Sequence, residues 1–210
     1  MTEAVPDDTR WFYLCTEDDL AVPNAFVTTR VGAVPLVAQN LKGRVVAFRN
    51  VCTHRFAIIH DAASGCGPLR CPYHGWTFDA EGVPVGLPFN PTDFQLDAEG
   101  RRRLALNPAS LARCGRLVFV RVATEGPALK EQLGNDLFTR LADLSETFSR
   151  SGEPMEPGED WEGFETANLR VALRAGHALH LEALPPPGAG DRFARTATFL
   201  PVHADTERPA

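Results

Sequence analysis

Cys52 and His54 form a C-x-H arm, and after sixteen intervening residues Cys71 and His74 form a C-x-x-H arm. Each arm presents one soft thiolate and one borderline imidazole from a single short stretch. Two kinds of metal centre take this donor set. A [2Fe–2S] cluster can hold two Cys on one iron and two His on the other. The thiolates neutralise ferric charge, and the neutral imidazoles leave the cluster less negative than an all-Cys one, which raises its potential. A single zinc ion also accepts two Cys and two His in a tetrahedron. Ligand types alone leave both readings open.

The flanks carry more. Arg55 follows the first His, and Pro72-Tyr73-His74-Gly75-Trp76 with Phe78 fills the second arm; Gly82 and Pro88 continue the pattern. This run resembles the Rieske domain of ring-hydroxylating and related oxygenases, at their large (alpha) subunit. The resemblance implies that Cys52 and Cys71 ligate the inner iron of a Rieske [2Fe–2S] cluster. His54 and His74 would ligate the outer iron, where electrons leave. Tyr73 and Trp76 either shield the cluster or pack as core.

In those alpha subunits a second domain holds mononuclear Fe(II) on two His and one carboxylate. The resemblance to that domain is weak here. Asn168-Leu169-Arg170 is followed by Arg174-Ala175 and then by His177-Ala178-Leu179-His180-Leu181-Glu182. Leu169 stands where the family has Trp, and no carboxylate precedes the His pair. His177, His180 and Glu182 are the candidate mononuclear set, with both His on one face of a helix. The plainer reading makes them packing or surface side chains of a degenerate segment. His60 and His203 lack a partner pattern and are expected to be exposed.

These residues predict the Rieske electron-transfer component of a multi-subunit non-heme iron oxygenase. It would take electrons from a ferredoxin or a flavin reductase. It would deliver them to Fe(II) in a partner catalytic oxygenase-like subunit of a hetero-oligomer, and would not turn over substrate alone. The rival readings are a free-standing Rieske ferredoxin, a complete oxygenase with an atypical iron site, and a zinc-stabilised binding module.

The elements that must position the arms read as short strands. Trp11–Cys15, Phe26–Arg30, Pro35–Ala38 and Arg44–Arg49 precede the first arm, and Thr77–Asp79 and Val83–Val85 flank a turn after the second. Leu104–Leu106 and Arg116–Val122 complete the run. The fold class expected is mainly β, a small antiparallel Rieske-type sandwich or barrel with a C-terminal helical extension. Residues 1–125 would form the cluster domain. Residues 126–210 would form the extension, the remnant of an oxygenase catalytic domain and a flexible tail. Leu129, Leu133, Leu137, Leu141, Leu144 and Phe148 predict one helix, capped near Thr124 or Glu125 and ended by Gly152-Glu153-Pro154. Apolar richness over 164–184 predicts a second helix, stopped by Pro185–Pro187.

A net charge of −6 over 210 residues gives no sign of nucleic-acid or anionic-membrane binding. No apolar run reaches membrane-spanning length, and Met1–Asp8 has no signal-peptide pattern, so a cytoplasmic protein is expected. Of five cysteines, Cys15 and Cys114 sit in strand-like apolar surroundings as buried thiols, and Cys66 in a loop near the cluster.

Overall fold

A computed structural model of the chain describes residues 8–150, 162–174, 178–184 and 195–201. The first part runs β1 (Phe12–Thr16), a 3₁₀ turn at Glu17–Leu20, β2 (Ala25–Val31), β3 (Val34–Leu41), β4 (Arg44–Arg49) and β5 (Ser64–Cys66). It continues with β6 (Thr77–Phe78), β7 (Pro84–Gly86), α1 (Ala98–Arg103), β8 (Pro108–Cys114) and β9 (Leu117–Arg121). Seven strands make one antiparallel sheet in the order β1-β9-β8-β4-β3-β2-β5, and β6 pairs with β7 separately. Tight turns set the register. Lys42 and Gly43 both take positive φ, the backbone of a two-residue hairpin between β3 and β4.

The second part has α2 (Leu129–Leu133), α3 (Asn135–Thr147), β10 (Phe148–Arg150), β11 (Glu162–Thr166), β12 (Leu169–Arg174), β13 (Ala178–Ala183) and β14 (Arg195–Pro201). Its strands form a second antiparallel sheet, β10-β14-β13-β12-β11.

The mainly antiparallel β expectation holds, and the chain turns helical after Gly126. Several details differ. The expected single helix over 129–148 is broken at Gly134, whose φ of 80° ends α2. Its start is set by Ala128, whose N–H donates to the Glu131 carboxylate, rather than by Thr124 or Glu125. The expected helix over 164–184 is strand. On β12 Leu169, Val171, Ala172 and Leu173 are buried while Arg170 and Arg174 are exposed, and on β13 Leu179, Leu181 and Ala183 are buried in alternation with half-buried His180 and Glu182. That is a period of two, the strand period. Leu104–Leu106 is loop, and strands β5 and β8 were not foreseen. The stops at 152–154 and 185–187, Met1 to Asp7 and the tail from Val202 lie outside the described residues.

One apolar cluster joins the two parts. Trp11, Tyr13, Cys114, Leu117 and Phe119 of the first sheet pack with Leu129, Leu133 and Leu141 of the helices and with Leu169, Val171, Leu179 and Leu181 of the second sheet. Gly115 permits this approach. A Cβ there would lie 2.2 Å from Ser145 Oγ and 2.6 Å from the Ala142 carbonyl of α3. A separate cluster, including Phe48, Leu69 and Trp76, lies under the loops described next.

Candidate metal centre

The two sequence arms fold into two loops built on one plan. In the first, the Cys52 N–H donates to the Ala57 carbonyl at 2.8 Å, and the Phe56 N–H donates to the Cys52 carbonyl at 2.9 Å. In the second, the Cys71 N–H donates to the Trp76 carbonyl at 2.8 Å, and the Gly75 N–H donates to the Cys71 carbonyl at 3.0 Å. Each loop is closed by a lone β-bridge, Val51 with Ile58 and Arg70 with Thr77. The residue four after each Cys is left-handed, Phe56 at φ 58° and Gly75 at φ 72°. Glycine fits that backbone without cost, whereas a residue with a Cβ is strained by roughly 1–2 kcal/mol. At Gly75 a Cβ would also lie 2.9 Å from Arg70 Nη2 and 3.3 Å from Pro88 Cγ, so both side chains would have to give way.

The loops bring all four sequence-predicted donors to one end of the first sheet. The Cys52 and Cys71 thiols are both buried, close enough that Cys71 adds to the upward push on Cys52, and not in a disulfide. Burial pushes the Cys52 thiol up to about 11, against the backbone N–H groups of His54 and Arg55 that favour its thiolate. Two thiolates this close repel each other, and burial penalises each charge. A cation between them reverses that balance. The His54 and His74 rings are 4.6 Å apart and tilted by 61°. Burial, then His74, then Arg55 lower the His54 pKa, which keeps its imidazole in the neutral, ligating form.

His54 Nδ1 is buried and has no hydrogen-bond partner among the described residues. Such orphans are rare and need a reason. A coordinated metal supplies one. Among the described residues no three His, Cys, Asp or Glu side chains converge as for a single ion. The four donors divide instead into a thiol pair and an imidazole pair. That division fits a two-metal cluster better than one tetrahedral zinc, and the residues present therefore fit a [2Fe–2S] cluster.

Aromatic rings enclose His54. Trp76 stacks on it at 4.6 Å and 3°, and Phe94 meets it edge-on at 5.2 Å. Trp76 is buried, whereas Tyr73 is exposed and leans on His74 at 4.2 Å. An open groove of about 840 Å³ lies against the two His, with Arg55, Arg70, Phe89 and Asp93 on its walls. Phe89, Asp93 and Phe94 were not singled out from sequence. They arrive on the 87–97 loop, and no local spacing ties them to the arms.

Other candidates fall elsewhere. His60 is half-buried rather than exposed. It stacks on Phe26 at 3.8 Å, its Nε2 lies 3.1 Å from Gln39 Oε1, and burial pushes its pKa down to about 4. Cys15 and Cys114 are buried as expected, while Cys66 is exposed on β5. His180 lies on β13, so the helical face it was to share with His177 does not form; His177 itself lies outside the described residues, as does His203. Glu182 accepts a hydrogen bond from Arg170 Nη1 at 2.8 Å.

Comparison with known proteins agrees with this geometry. Residues 10–102 match the family model of the Rieske [2Fe-2S] domain. The terminal oxygenase component subunit alpha 2 of terephthalate 1,2-dioxygenase from Comamonas sp is 30% identical over 142 residues, covering 62% of this chain and 33% of the relative. Chloroplastic choline monooxygenase from Spinacia oleracea is 32% identical over 177 residues, covering 80% of this chain and 39% of the relative. The chain thus spans between about a quarter and two fifths of the length of such curated relatives. Among solved structures, naphthalene 1,2-dioxygenase from Rhodococcus sp. bound to indole superposes with a TM-score of 0.64 at 16% identity, over 95% of this chain and 69% of that one. The quaternary ammonium Rieske monooxygenase CntA in complex with L-carnitine gives 0.62 at 16% identity, over 92% and 68%. At such identities the likeness concerns the fold.

Proposed function

Because the chain carries a Rieske [2Fe-2S] domain and its relatives are Rieske oxygenase alpha subunits, we propose that it is the electron-transfer component of a multi-subunit non-heme iron oxygenase. A ferredoxin or flavin reductase supplies electrons. The acceptor is mononuclear iron in a partner oxygenase-type subunit. The observation that carries the reading is the pair of matched loops, which set two unbridged buried thiols together and leave His54 Nδ1 without a protein partner.

A bound Rieske cluster stores one electron and offers no open iron position for oxygen. The residues of this chain do the rest. Cys52 and Cys71 hold the buried side, and the N–H groups of His54 and Arg55 stabilise charge on Cys52. Trp76 and Phe94 keep water from one flank of His54. His54 and His74 present the cluster to the groove, where a partner can come close. In this reading residues 1–125 form the cluster unit. Residues 126–210 form a unit descended from an oxygenase domain, in which Glu182 is occupied by Arg170.

Metal analysis and EPR on anaerobically purified protein test the proposal. Two irons per chain and a Rieske signal after dithionite reduction are expected. Three irons per chain would place a mononuclear site in this chain and overturn the partner assignment. One zinc and no signal would overturn the whole reading.

A further inference from the structure

The exposed large aromatic side chains among the described residues gather at one end of the molecule. Phe56 is 78% exposed, Phe89 71% and Tyr73 66%. Phe56 and Tyr73 belong to the two ligand loops, and Phe89 and Tyr73 line the groove beside His54 and His74.

Two of these rings are also held at a conformational cost. Phe56 has φ 58° and Phe89 has φ 63°, the left-handed region that glycine and asparagine tolerate and Phe does not. The second loop shows the relaxed solution, because its matching position is Gly75. Folding would gain from glycine at 56 and 89, since neither ring is buried in the core. Strain combined with exposure at one site points to function there.

The charge around the rings narrows what they meet. Arg55 and Arg70 are exposed on the same groove, and neither has an ion-pair partner among the described residues. Asp93 is the one carboxylate on its walls. This cationic rim stands out on a chain of net charge −6.

We propose that Phe56, Tyr73 and Phe89, ringed by Arg55 and Arg70, are the docking face for the electron donor, a small redox protein whose own contact surface is apolar at its centre and acidic at its rim. The rings act as anchors, and the guanidinium groups steer the encounter. The inference rests on the electron-transfer reading and adds the chemistry of the partner.

The test is stopped-flow reduction of the cluster-loaded full chain by a reduced, acidic plant-type [2Fe–2S] ferredoxin. Dithionite reduction and thermal unfolding run in parallel. The parent protein should lose about tenfold or more in second-order rate between low salt and 0.5 M salt. The double variant Phe56→Gly, Phe89→Gly should unfold a few degrees higher, because strain is relieved. It should keep its dithionite-reducible cluster and react with the ferredoxin at least tenfold more slowly. Arg55→Gln with Arg70→Gln should lower the low-salt rate about tenfold and flatten the salt dependence. An unchanged ferredoxin rate in the Phe variant, or a rate independent of salt in the parent, overturns the proposal. A lower melting temperature or a lost cluster in the Phe variant also overturns it, because the rings would then be holding the loops. A parent chain without any dithionite-reducible cluster fails earlier, at the electron-transfer reading itself.

Discussion

The four donors differ in what their removal would do. Cys52 and Cys71 are both buried, so Cys52→Ser should abolish the cluster and its visible spectrum. His54→Cys keeps a ligand and adds a negative charge. We expect a cluster to survive with its potential lowered by on the order of 200 mV or more, since all-Cys clusters lie that far below Rieske centres. Protein-film voltammetry measures the shift, and an unchanged potential would refute the assignment of His54. His60 gives a different prediction. Its ring meets Phe26 and Gln39, and its main chain is bonded by the Asn50 side-chain amide, none of them charged. Its folded pKa of about 4 lies below the ordinary value of 6.5. Between those values the unfolded chain binds the extra proton. The stability contributed by neutral His60 is therefore complete above pH 6.5 and is lost as pH falls toward 4. Urea unfolding from pH 7 to 4.5 should show this slope in the parent and a shallower one in His60→Gln. Equal slopes would mean that His60 takes up its proton while folded.

At the scale of elements, an edge strand is closed by two side chains acting as strand neighbours. The Gln132 amide accepts from the Trp11 N–H at 2.7 Å and donates to the Trp11 carbonyl at 2.8 Å. The Asn168 amide does the same to Tyr13, at 2.8 and 2.9 Å. They satisfy main-chain groups of Trp11, just before β1, and of Tyr13 within it, on the side where no described strand pairs. Asn168→Ala or Gln132→Ala should each cost about 2 kcal/mol or more, because a donor and an acceptor are stranded together. Chemical denaturation would read this, and a loss under about 0.5 kcal/mol would show that water replaces the clamp. Nothing local in the sequence marks the clamp, since Gln132 and Asn168 lie 121 and 155 residues from their partners. The metal loops are the opposite case. Each ligand pair is two or three residues apart, so the chemistry was legible from spacing and flanks alone. Strand β8 was invisible because its residues are mostly half-buried and include Pro108, Ser110 and Arg113. Strands β12 and β13 were legible in principle. The alternation of β13, shared by Leu169, Arg170 and Val171 at the start of β12, outranks the apolar richness that suggested a helix.

At the scale of the molecule, the cluster-bearing sheet and the C-terminal segment complete one another. Buried Arg121 lies 4.4 Å over the Trp11 ring and donates to the carbonyls of Ala123, Thr124 and Pro127, clasping the connection between the two parts. Arg195 on β14 reaches back to the first sheet, with Nη2 donating to the carbonyls of Thr28 and Ala63 at 3.1 and 2.6 Å. The apolar cluster around Trp11, Tyr13 and Phe119 is closed by Leu129, Leu141, Leu169 and Leu179. Ending the chain at residue 125 would therefore expose that cluster and the main-chain groups of Trp11 and Tyr13 that Gln132 and Asn168 cover. A bare apolar patch beside an open strand edge is a template for association. We expect the shortened protein to bind hydrophobic dyes and to sediment as oligomers or aggregates at concentrations where the full chain stays monodisperse. Its ligand loops rest on a different cluster, the one under Trp76, so the fraction that remains in solution should still take up iron with a Rieske spectrum. A monomeric fragment melting at the temperature of the full chain would show that the cluster domain is energetically independent, and that the shared core adds nothing to its stability.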